Sequence, residues 1–222
     1  MRLALFDLDL TLLPLDSDHA FGEFLIRLGW VDEAAYRARN DAFYADYQAG
    51  RLDMDAYVDF ATAAWRSRSP AEQHELSARF VREVIEPAIR PPAVELVQHH
   101  RERGDRVVMV TATNEFITRP IARRFGIDTL IATALERDAD GRLTGRIAGR
   151  ANLREGKLHN VASWLTGQGL SWGDLESSTC YSDSTNDLPL LERVSHPVAT
   201  NPAAELERIA RERGWPILRL FT

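Results

Sequence analysis

With 222 residues, the chain is long enough for one well-buried core, or for a core with a small satellite domain. A net charge of -6 argues against broad nucleic-acid binding, and 45% hydrophobic residues are typical of an ordinary globular protein. The single cysteine excludes a disulfide framework within the chain, and no apolar run reaches membrane-spanning length. Because the N-terminus does not read as a leader, we expect a cytoplasmic protein without a nucleic-acid or membrane partner.

The first predicted strand ends in two carboxylates. The apolar run of residues 3–6 is followed by Asp7, Asp9 and Thr11. Ligands of parallel α/β sheets bind outside the carboxyl ends of the strands, and residues two apart in an extended segment project to the same side. Both carboxylates can therefore face one ligand. Taken alone, the pair could equally be a strand end followed by an Asx-turn.

A block of predicted helices follows, from about residue 16 to residue 87, and interrupts an alternation of strands and helices. Glycines and capping residues predict helices at residues 17–28 and 32–49, after Asp53, and from Ser69 onward. We expect the aromatic residues to form the core of this bundle rather than a ligand pocket: Phe43, Tyr44, Tyr47, Tyr57, Phe60 and Trp65.

Strands and helices alternate again after residue 91, which predicts parallel strands with right-handed crossovers. The predicted strands lie at residues 106–110, 129–132, 179–182, 196–199 and 217–220, with a hairpin at 134–147. Helices are predicted at 93–103, 115–125, from 154, and at 203–213. The prediction is a Rossmann-like α/β core of residues 1–15 and 88–222 with an inserted small helical cap domain of residues 16–87.

The histidines form no competing site in the sequence. His99 and His100 are predicted to lie on a solvated helix face, and His74 and His159 are isolated.

Four segments occur in the order found in the haloacid dehalogenase-like (HAD) phosphatases, which the chain resembles. They are Asp7-x-Asp9-x-Thr11 after the first strand, the strand ending at Thr111, Lys157 at a helix start, and Asp183-x-x-Asn186-Asp187. Within this superfamily the chain is most similar to the phosphoserine phosphatase-like branch, which carries a small helical cap between its first two motifs.

The resemblance implies a Mg²⁺-dependent phosphatase that acts on a small phosphomonoester. Asp7 would be the nucleophile that forms an aspartyl-phosphate, Asp9 the general acid and base, and Lys157 a cation that offsets charge at the phosphoryl group. Side-chain oxygens of Asp7 and Asp183, with the backbone carbonyl of Asp9, would bind Mg²⁺.

Further residues of the motifs are expected to bind phosphate. Thr111 and the backbone N–H groups of Ala112 and Thr113, expected at a helix start, can cradle its oxygens. Asn186 would bond the phosphate or position its loop, and Asp187 would orient the lysine or a metal-bound water.

Two other classes of function share part of this pattern. A receiver domain of a signalling protein also places aspartates, a hydroxyl and a lysine at strand ends and accepts a phosphoryl group. A catalytically silent binding module is the other. The helical insertion after Asp9 and the distance in sequence between Asp7 and Asp183 favour a capped enzyme rather than a receiver domain or a binding module.

The predicted cap departs from phosphoserine phosphatases where substrate would be chosen. Their cap glutamate corresponds to Asp16, and their carboxylate-binding arginine corresponds to Ala61, although Arg51, Arg66 or Arg68 could replace it. With Asp16, Asp18 and His19 at the cap entrance, we expect an amine-bearing phosphate without a carboxylate, of which histidinol phosphate is an example. Phosphoserine phosphatase activity proper remains the alternative, and the sequence does not indicate an oligomeric state.

Overall fold

The computed structural model describes residues 1–221. Its strands are β1 (Arg2–Phe6), β2 (Arg106–Asn114), β3 (Thr129–Thr133), β4 (Leu135–Arg137), β5 (Leu143–Ile147), β6 (Ser177–Ser182), β7 (His196–Thr200) and β8 (Ile217–Leu218). Its helices are α1 (Ser17–Arg27), α2 (Glu33–Gln48), α3 (Met54–Ala63), α4 (Pro70–Phe80), α5 (Glu86–Ala88), α6 (Pro91–Glu102), α7 (Glu115–Arg124), α8 (Glu155–Gly167), α9 (Leu188–Leu191) and α10 (Ala204–Arg213). None of these helices is long and apolar enough to cross a membrane.

A six-stranded parallel sheet with the order β3-β2-β1-β6-β7-β8 forms the centre of the molecule, and β4 and β5 form a separate antiparallel hairpin. The sheet and its surrounding helices confirm the predicted α/β fold. At the end of β1, Phe6 lies beside Met109 of β2 and Tyr181 of β6. Asp7 therefore leaves the sheet at its centre, between the ends of two neighbouring strands.

Alternate residues of β1 point to two separate hydrophobic cores. Leu3 and Leu5 pack on one side of the sheet with residues of α8 and α10, whereas Ala4 and Phe6 pack on the other side with residues of α1 to α4. A stacked ring pair joins α7 to the helices inserted after β1, since the centroids of Trp65 and Phe116 are 3.9 Å apart. The inserted helices thus share one continuous core with a face of the sheet.

Several strands and helices begin or end at other residues than the sequence predicts; β6, for example, begins at Ser177 and not at residue 179. β2 continues through Asn114, four residues beyond the predicted end, because Asn114 is itself the N-cap of α7 and accepts hydrogen bonds from the N–H groups of Phe116 and Ile117. β8 ends at Leu218. Leu220 is the next residue whose N–H faces β7, and this N–H donates to the side-chain oxygen Asn201 Oδ1 at 2.6 Å instead of to a backbone carbonyl. Helix α6 begins at Pro91, a residue type that suits the first turn of a helix.

The prediction of a solvated His100 is wrong. Its ring is buried, with Nδ1 2.7 Å from Asp105 Oδ2 and Nε2 2.8 Å from the hydroxyl of Tyr181. Burial lowers the pKa of His100, although Asp105 opposes this. The side chain is part of the support beneath β6, and it lies outside the site described next.

Candidate active site

A buried ion pair lies at the carboxyl edge of the sheet. Lys157, from the first turn of α8, places Nζ 2.7 Å from Asp7 Oδ1 and 2.7 Å from Asp187 Oδ2. Its side chain is 2% exposed, so the ammonium group has exchanged water for two carboxylates. Burial opposes the charge on Lys157, but Asp187 and Asp7 outweigh it and raise its pKa well above the ordinary value.

Thr11 joins the first and fourth motifs. Its hydroxyl lies 3.0 Å from Asp7 Oδ2 and 3.2 Å from Asp183 Oδ1, and it accepts a hydrogen bond from the N–H of Asp183. Because a hydroxyl has one proton, it can donate to only one of the two carboxylates at a time. Burial and the neighbouring Asp7 raise the pKa of Asp183 well above its usual range. The pair of carboxylates therefore calls for a further cation at this point.

Two carboxylates, a backbone carbonyl and water molecules are a ligand set that suits Mg²⁺. Within residues 1–221 no group of three or more His, Cys, Asp or Glu side chains forms a metal cluster. Asp7 and Asp183 supply two carboxylates, and the carbonyl of Asp9 follows two residues after Asp7. Asp187 Oδ1 is buried without a hydrogen-bond partner among the described residues, and it can accept a proton from a metal-bound water. These residues fit the metal.

Asp9 is held by hydrogen bonds on both of its carboxylate oxygens. Oδ1 accepts from the N–H of Ser17 at 2.7 Å, and Oδ2 accepts from the hydroxyl of Thr113 at 2.8 Å. Burial and the charge of Asp16 raise the pKa of Asp9 to about 7, although the hydrogen bonds from Ser17 and Thr113 oppose the shift. A pKa near neutrality suits a group that both donates and accepts a proton.

The turn after Asp9 is supported from the far end of the chain. Leu10 has φ 58°, which is uncommon for a residue with a branched side chain. Asn201 Nδ2 donates to the carbonyl groups of both Leu10 and Thr11 at 3.1 Å. Asn201 was not predicted as a site residue, and an asparagine 190 residues away in sequence gives no local signal of this contact.

The end of β2 carries Thr111, Ala112 and Thr113 into the site, where all three line the cavity described below. The expected helix start at Ala112 and Thr113 is wrong, because the strand continues to Asn114. The N–H of Thr113 instead donates to Thr111 Oγ1 at 3.2 Å. Asn152, which was also not predicted, donates from Nδ2 to the carbonyl of Thr111 at 2.8 Å and holds the strand end in place.

The fourth motif forms a tight turn after β6. Ser182 donates its hydroxyl to Asp187 Oδ2 at 2.8 Å, the same oxygen that binds Lys157. Asn186 Oδ1 accepts a hydrogen bond from Arg154 Nε at 3.2 Å. Asp187 thus contacts Lys157, which is the arrangement expected if it orients the lysine. Asn186 contacts Arg154, an arginine that the sequence analysis does not identify.

A cavity opens above Asp7 and Asp9, between the sheet edge and helices α1 to α3. The described residues that line it include four carboxylates and four aromatic rings but no lysine or arginine: Asp7, Asp9, Asp16, Asp18, His19, Asn40, Phe43, Tyr44, Tyr47, Leu52, Met54, Tyr57, Thr111, Ala112 and Thr113. The cavity is therefore acidic and partly aromatic.

Two of the carboxylates come from the start of α1. Asp16 caps the helix, accepting the N–H of His19 at 2.8 Å, and Asp18 is contacted by Asn114 Nδ2 at 3.5 Å and by the hydroxyl of Tyr57. Burial raises the pKa of Asp16, and burial with the charges of Asp16 and Asp9 raises that of Asp18 well above its usual range. Neither forms a salt bridge with a described residue, so a cationic group would be favoured here.

The arginines that might have replaced Ala61 point elsewhere. Arg51 pairs with Asp46 at 2.8 Å, Arg66 with Asp59 at 2.6 Å, and Arg68 lies 3.8 Å above the ring of Trp30. His19 lines the cavity with its ring tied to Asp41 at 2.8 Å.

The expectation that six aromatic residues form a core and not a ligand pocket is confirmed only in part. Phe60, Trp65 and Tyr57 are buried in the core, as predicted. Tyr57 also lines the cavity, however, together with Phe43, Tyr44 and Tyr47. Helical spacing identifies the apolar face of α2, but it does not show whether that face contacts another helix or a ligand cavity.

The Rossmann-like fold, with a buried aspartate and lysine at the carboxyl edge of its parallel sheet, is that of a hydrolase. The profile of the family described as haloacid dehalogenase-like hydrolase matches residues 4–192. The chain belongs to that family, which confirms the resemblance seen in the sequence, and it is a phosphatase.

Several known proteins are similar to nearly the whole chain. A histidinol-phosphatase of Neisseria meningitidis serogroup C (strain 8013) is 47% identical over 217 residues, covering 98% of each chain. A phosphoserine phosphatase of Mycobacterium tuberculosis (strain ATCC 25618 / H37Rv) is 35% identical over 224 residues, covering 96% of this chain and 69% of the relative. The crystal structure of a protein with unknown function from Bordetella pertussis Tohama I, 48% identical, has a TM-score of 0.93 and covers 99% of each chain.

Proposed function

We propose that the chain is a Mg²⁺-dependent phosphomonoester hydrolase that works through an aspartyl-phosphate on Asp7. The contact between Lys157 Nζ and Asp7 Oδ1, at 2.7 Å, carries the proposal. Burial raises the pKa of Asp7, and the ammonium group of Lys157 opposes this shift, so the contact favours the ionised, nucleophilic form and fixes the orientation of Oδ1. Asp9, with a pKa of about 7, lies two residues away and supplies the proton chemistry.

Asp7 and Asp183 would bind the metal through side-chain oxygens, and Asp9 would bind it through its carbonyl. When bound, Mg²⁺ supplies positive charge against the anionic phosphate and its anionic nucleophile. Lys157 supplies the second positive charge from the protein itself, in a buried position where such charges act strongly.

In the first step, a carboxylate oxygen of Asp7 forms a bond to phosphorus as the ester P–O bond breaks. Protonated Asp9 gives its proton to the leaving alkoxide oxygen. In the second step, Asp9 takes a proton from water, whose oxygen attacks phosphorus and releases inorganic phosphate from Asp7. Ser17 and Thr113 orient Asp9 in both steps, and Thr111 lies where it can bind phosphate oxygens.

Residues 16–87 act as a cap in this proposal, and the cavity beneath them holds the leaving group. An acidic cavity without lysine or arginine favours a substrate with an amino group and no carboxylate. Histidinol phosphate has these features, and a relative that is 47% identical is named histidinol-phosphatase. Phosphoserine is the second candidate, supported by the name of the relative that is 35% identical.

Turnover of a panel of phosphomonoesters by purified protein, with Mg²⁺ and after chelation, tests the proposal. We expect metal-dependent release of phosphate from p-nitrophenyl phosphate and a higher kcat/KM for histidinol phosphate than for L-phosphoserine. A receiver-like protein would show at most one phosphoryl transfer per chain, and a silent binding module would show none.

A further inference from the structure

Arg154 has a backbone conformation that residues with a side chain rarely adopt. Its φ and ψ are 53° and -123°, immediately before α8. Its carbonyl accepts the N–H of Lys157 at 3.0 Å, so this backbone begins the helical turn that carries the buried lysine. A conformation of this kind costs free energy for any residue except glycine, and it persists only where surrounding contacts maintain it. The side chain of Arg154 supplies such contacts.

The guanidinium group of Arg154 joins two parts of the site. Nε donates to Asn186 Oδ1 at 3.2 Å, in the turn of the fourth motif. Nη2 donates to the carbonyl of Gly50, in the turn that ends α2. One side chain therefore connects a residue expected to bind phosphate with the helices above the cavity. The planar fork of an arginine can bond two acceptors at once, which a lysine does less well.

Gly50 is matched to this contact. It has φ +69°, and a Cβ at this position would overlap the guanidinium of Arg154. Its N–H donates to the carbonyl of Tyr47 at 3.0 Å, and the side chain of Tyr47 lines the cavity together with Asp7. The turn at Gly50 thus follows directly from a helix end that covers the phosphoryl site.

We propose that Arg154 is a positioning residue that orients Asn186 for phosphate when the turn at Gly50 lies against the sheet edge. The inference rests on the function proposed above. In this arrangement phosphate binding and closure of the inserted helices depend on the same guanidinium group. Loss of that group weakens binding of phosphate and of phosphomonoesters, whatever their leaving group.

Replacing Arg154 with glycine separates the side chain from the backbone. Arg154→Gly relaxes the unfavourable φ and ψ, so we expect a Tm equal to or above that of the wild type. We also expect kcat/KM for every active phosphomonoester to fall by about tenfold or more, with a matching rise in the inhibition constant of inorganic phosphate. Arg150→Ala, an exposed arginine in the same loop, is the control and should change neither quantity.

Two glycines provide a second matched pair. Gly29 and Gly50 both have positive φ, +67° and +69°, after α1 and α2, but nothing lies within 4 Å of a Cβ at Gly29. Gly29→Ala and Gly50→Ala therefore share the backbone cost, and only the latter displaces Arg154. We expect Gly50→Ala alone to weaken inhibition by phosphate. Arg154→Ala should add little to Asn186→Ala in the double variant, because the arginine acts through that asparagine.

Wild-type phosphate inhibition and kcat/KM in Arg154→Gly would overturn the inference and leave the proposed function intact. An additive double variant, or a fall in activity that only follows a lowered Tm, would also overturn it. A wild-type protein that hydrolyses no phosphomonoester would overturn the proposed function, and this inference with it.

Discussion

Lys157 Nζ and Asp7 Oδ1 lie 2.7 Å apart in the buried centre of the site, although 150 residues separate them in sequence. Lys157 is the single lysine of the chain, whose other basic side chains, histidines aside, are arginines. A compact ammonium group with three donors fits between Asp7 and Asp187, where the larger planar guanidinium of an arginine does not. The position thus selects both the charge and the shape of the side chain.

Lys157→Arg is therefore expected to lower kcat by about 100-fold or more, because the positive charge is kept but displaced from the phosphoryl group. Arginine is the informative replacement, since a neutral residue would leave two buried carboxylates without a cation and destabilise the fold. Steady-state kinetics with a Tm measurement check this. An active Lys157→Arg variant would show that any positive charge at this position suffices.

Asp9→Asn should slow both steps, since general acid and base catalysis contributes roughly a hundred- to ten-thousand-fold. p-Nitrophenyl phosphate has a leaving group that needs no proton, so its first step should be largely spared. Single-turnover phosphorylation with p-nitrophenyl phosphate and with an alkyl phosphate makes the comparison. Equal losses for both esters would contradict the acid role of Asp9.

Activity should disappear after chelation and return with Mg²⁺, and Ca²⁺ should inhibit. Calcium accepts more ligands in a looser geometry, so both oxygens of Asp7 can bind it and neither is then free to attack. Activity measured after chelation, with elemental analysis of the protein, checks this. Full activity in protein shown to contain no metal would exclude the proposed site at Asp7 and Asp183.

Asp18→Asn should stabilise the protein at neutral pH while weakening its preference for amine-bearing substrates. The raised pKa of Asp18 means that the folded state holds its proton more tightly than the unfolded state. The free energy of unfolding of the wild type therefore falls as pH rises from the ordinary aspartate value, about 4, through the folded pKa. The variant lacks this loss. Its free energy of unfolding should therefore exceed that of the wild type above the folded pKa and should show no such excess below about pH 4.

Denaturant unfolding across this pH range measures the effect. Asp55→Asn is the matched control, because Asp55 also lies in the first turn of a helix, α3, but is exposed. The ratio of kcat/KM for histidinol phosphate to that for L-phosphoserine should be above one in the wild type and lower in Asp18→Asn. A wild-type ratio of one or below would contradict the substrate proposal.

The sequence predicted the parts of the site that depend on local order. Asp7 and Asp183 each follow an apolar strand and Thr111 lies near the end of another, and a parallel sheet brings strand ends to one edge, so their proximity could be inferred. The residues that support them could not be inferred from the sequence. Asn201 and Asn152 hold backbone carbonyl groups far away in sequence, and an isolated polar residue in a loop gives no sign of its partner.

The aromatic lining of the cavity could not be inferred from the sequence for a related reason. Phe43 and Tyr44 occupy a face of α2 that any packing partner could cover, and only the tertiary arrangement places that face over Asp9. The sequence pattern does not identify Arg154, because neither its positive φ nor its hydrogen bond to the carbonyl of Gly50 can be inferred from the sequence.

Identification of the phosphorylated residue decides whether Asp7 is the nucleophile. Asp9→Asn protein, in which hydrolysis of the intermediate should be slow, is mixed with p-nitrophenyl phosphate and Mg²⁺, quenched in acid, and digested for mass spectrometry. We expect one phosphoryl group per chain, located on Asp7 and absent when Asp7→Asn is added. A phosphoryl group on another residue, or phosphate release by the Asp7→Asn variant at more than a few per cent of the wild-type rate in protein free of contaminating phosphatase, would contradict it.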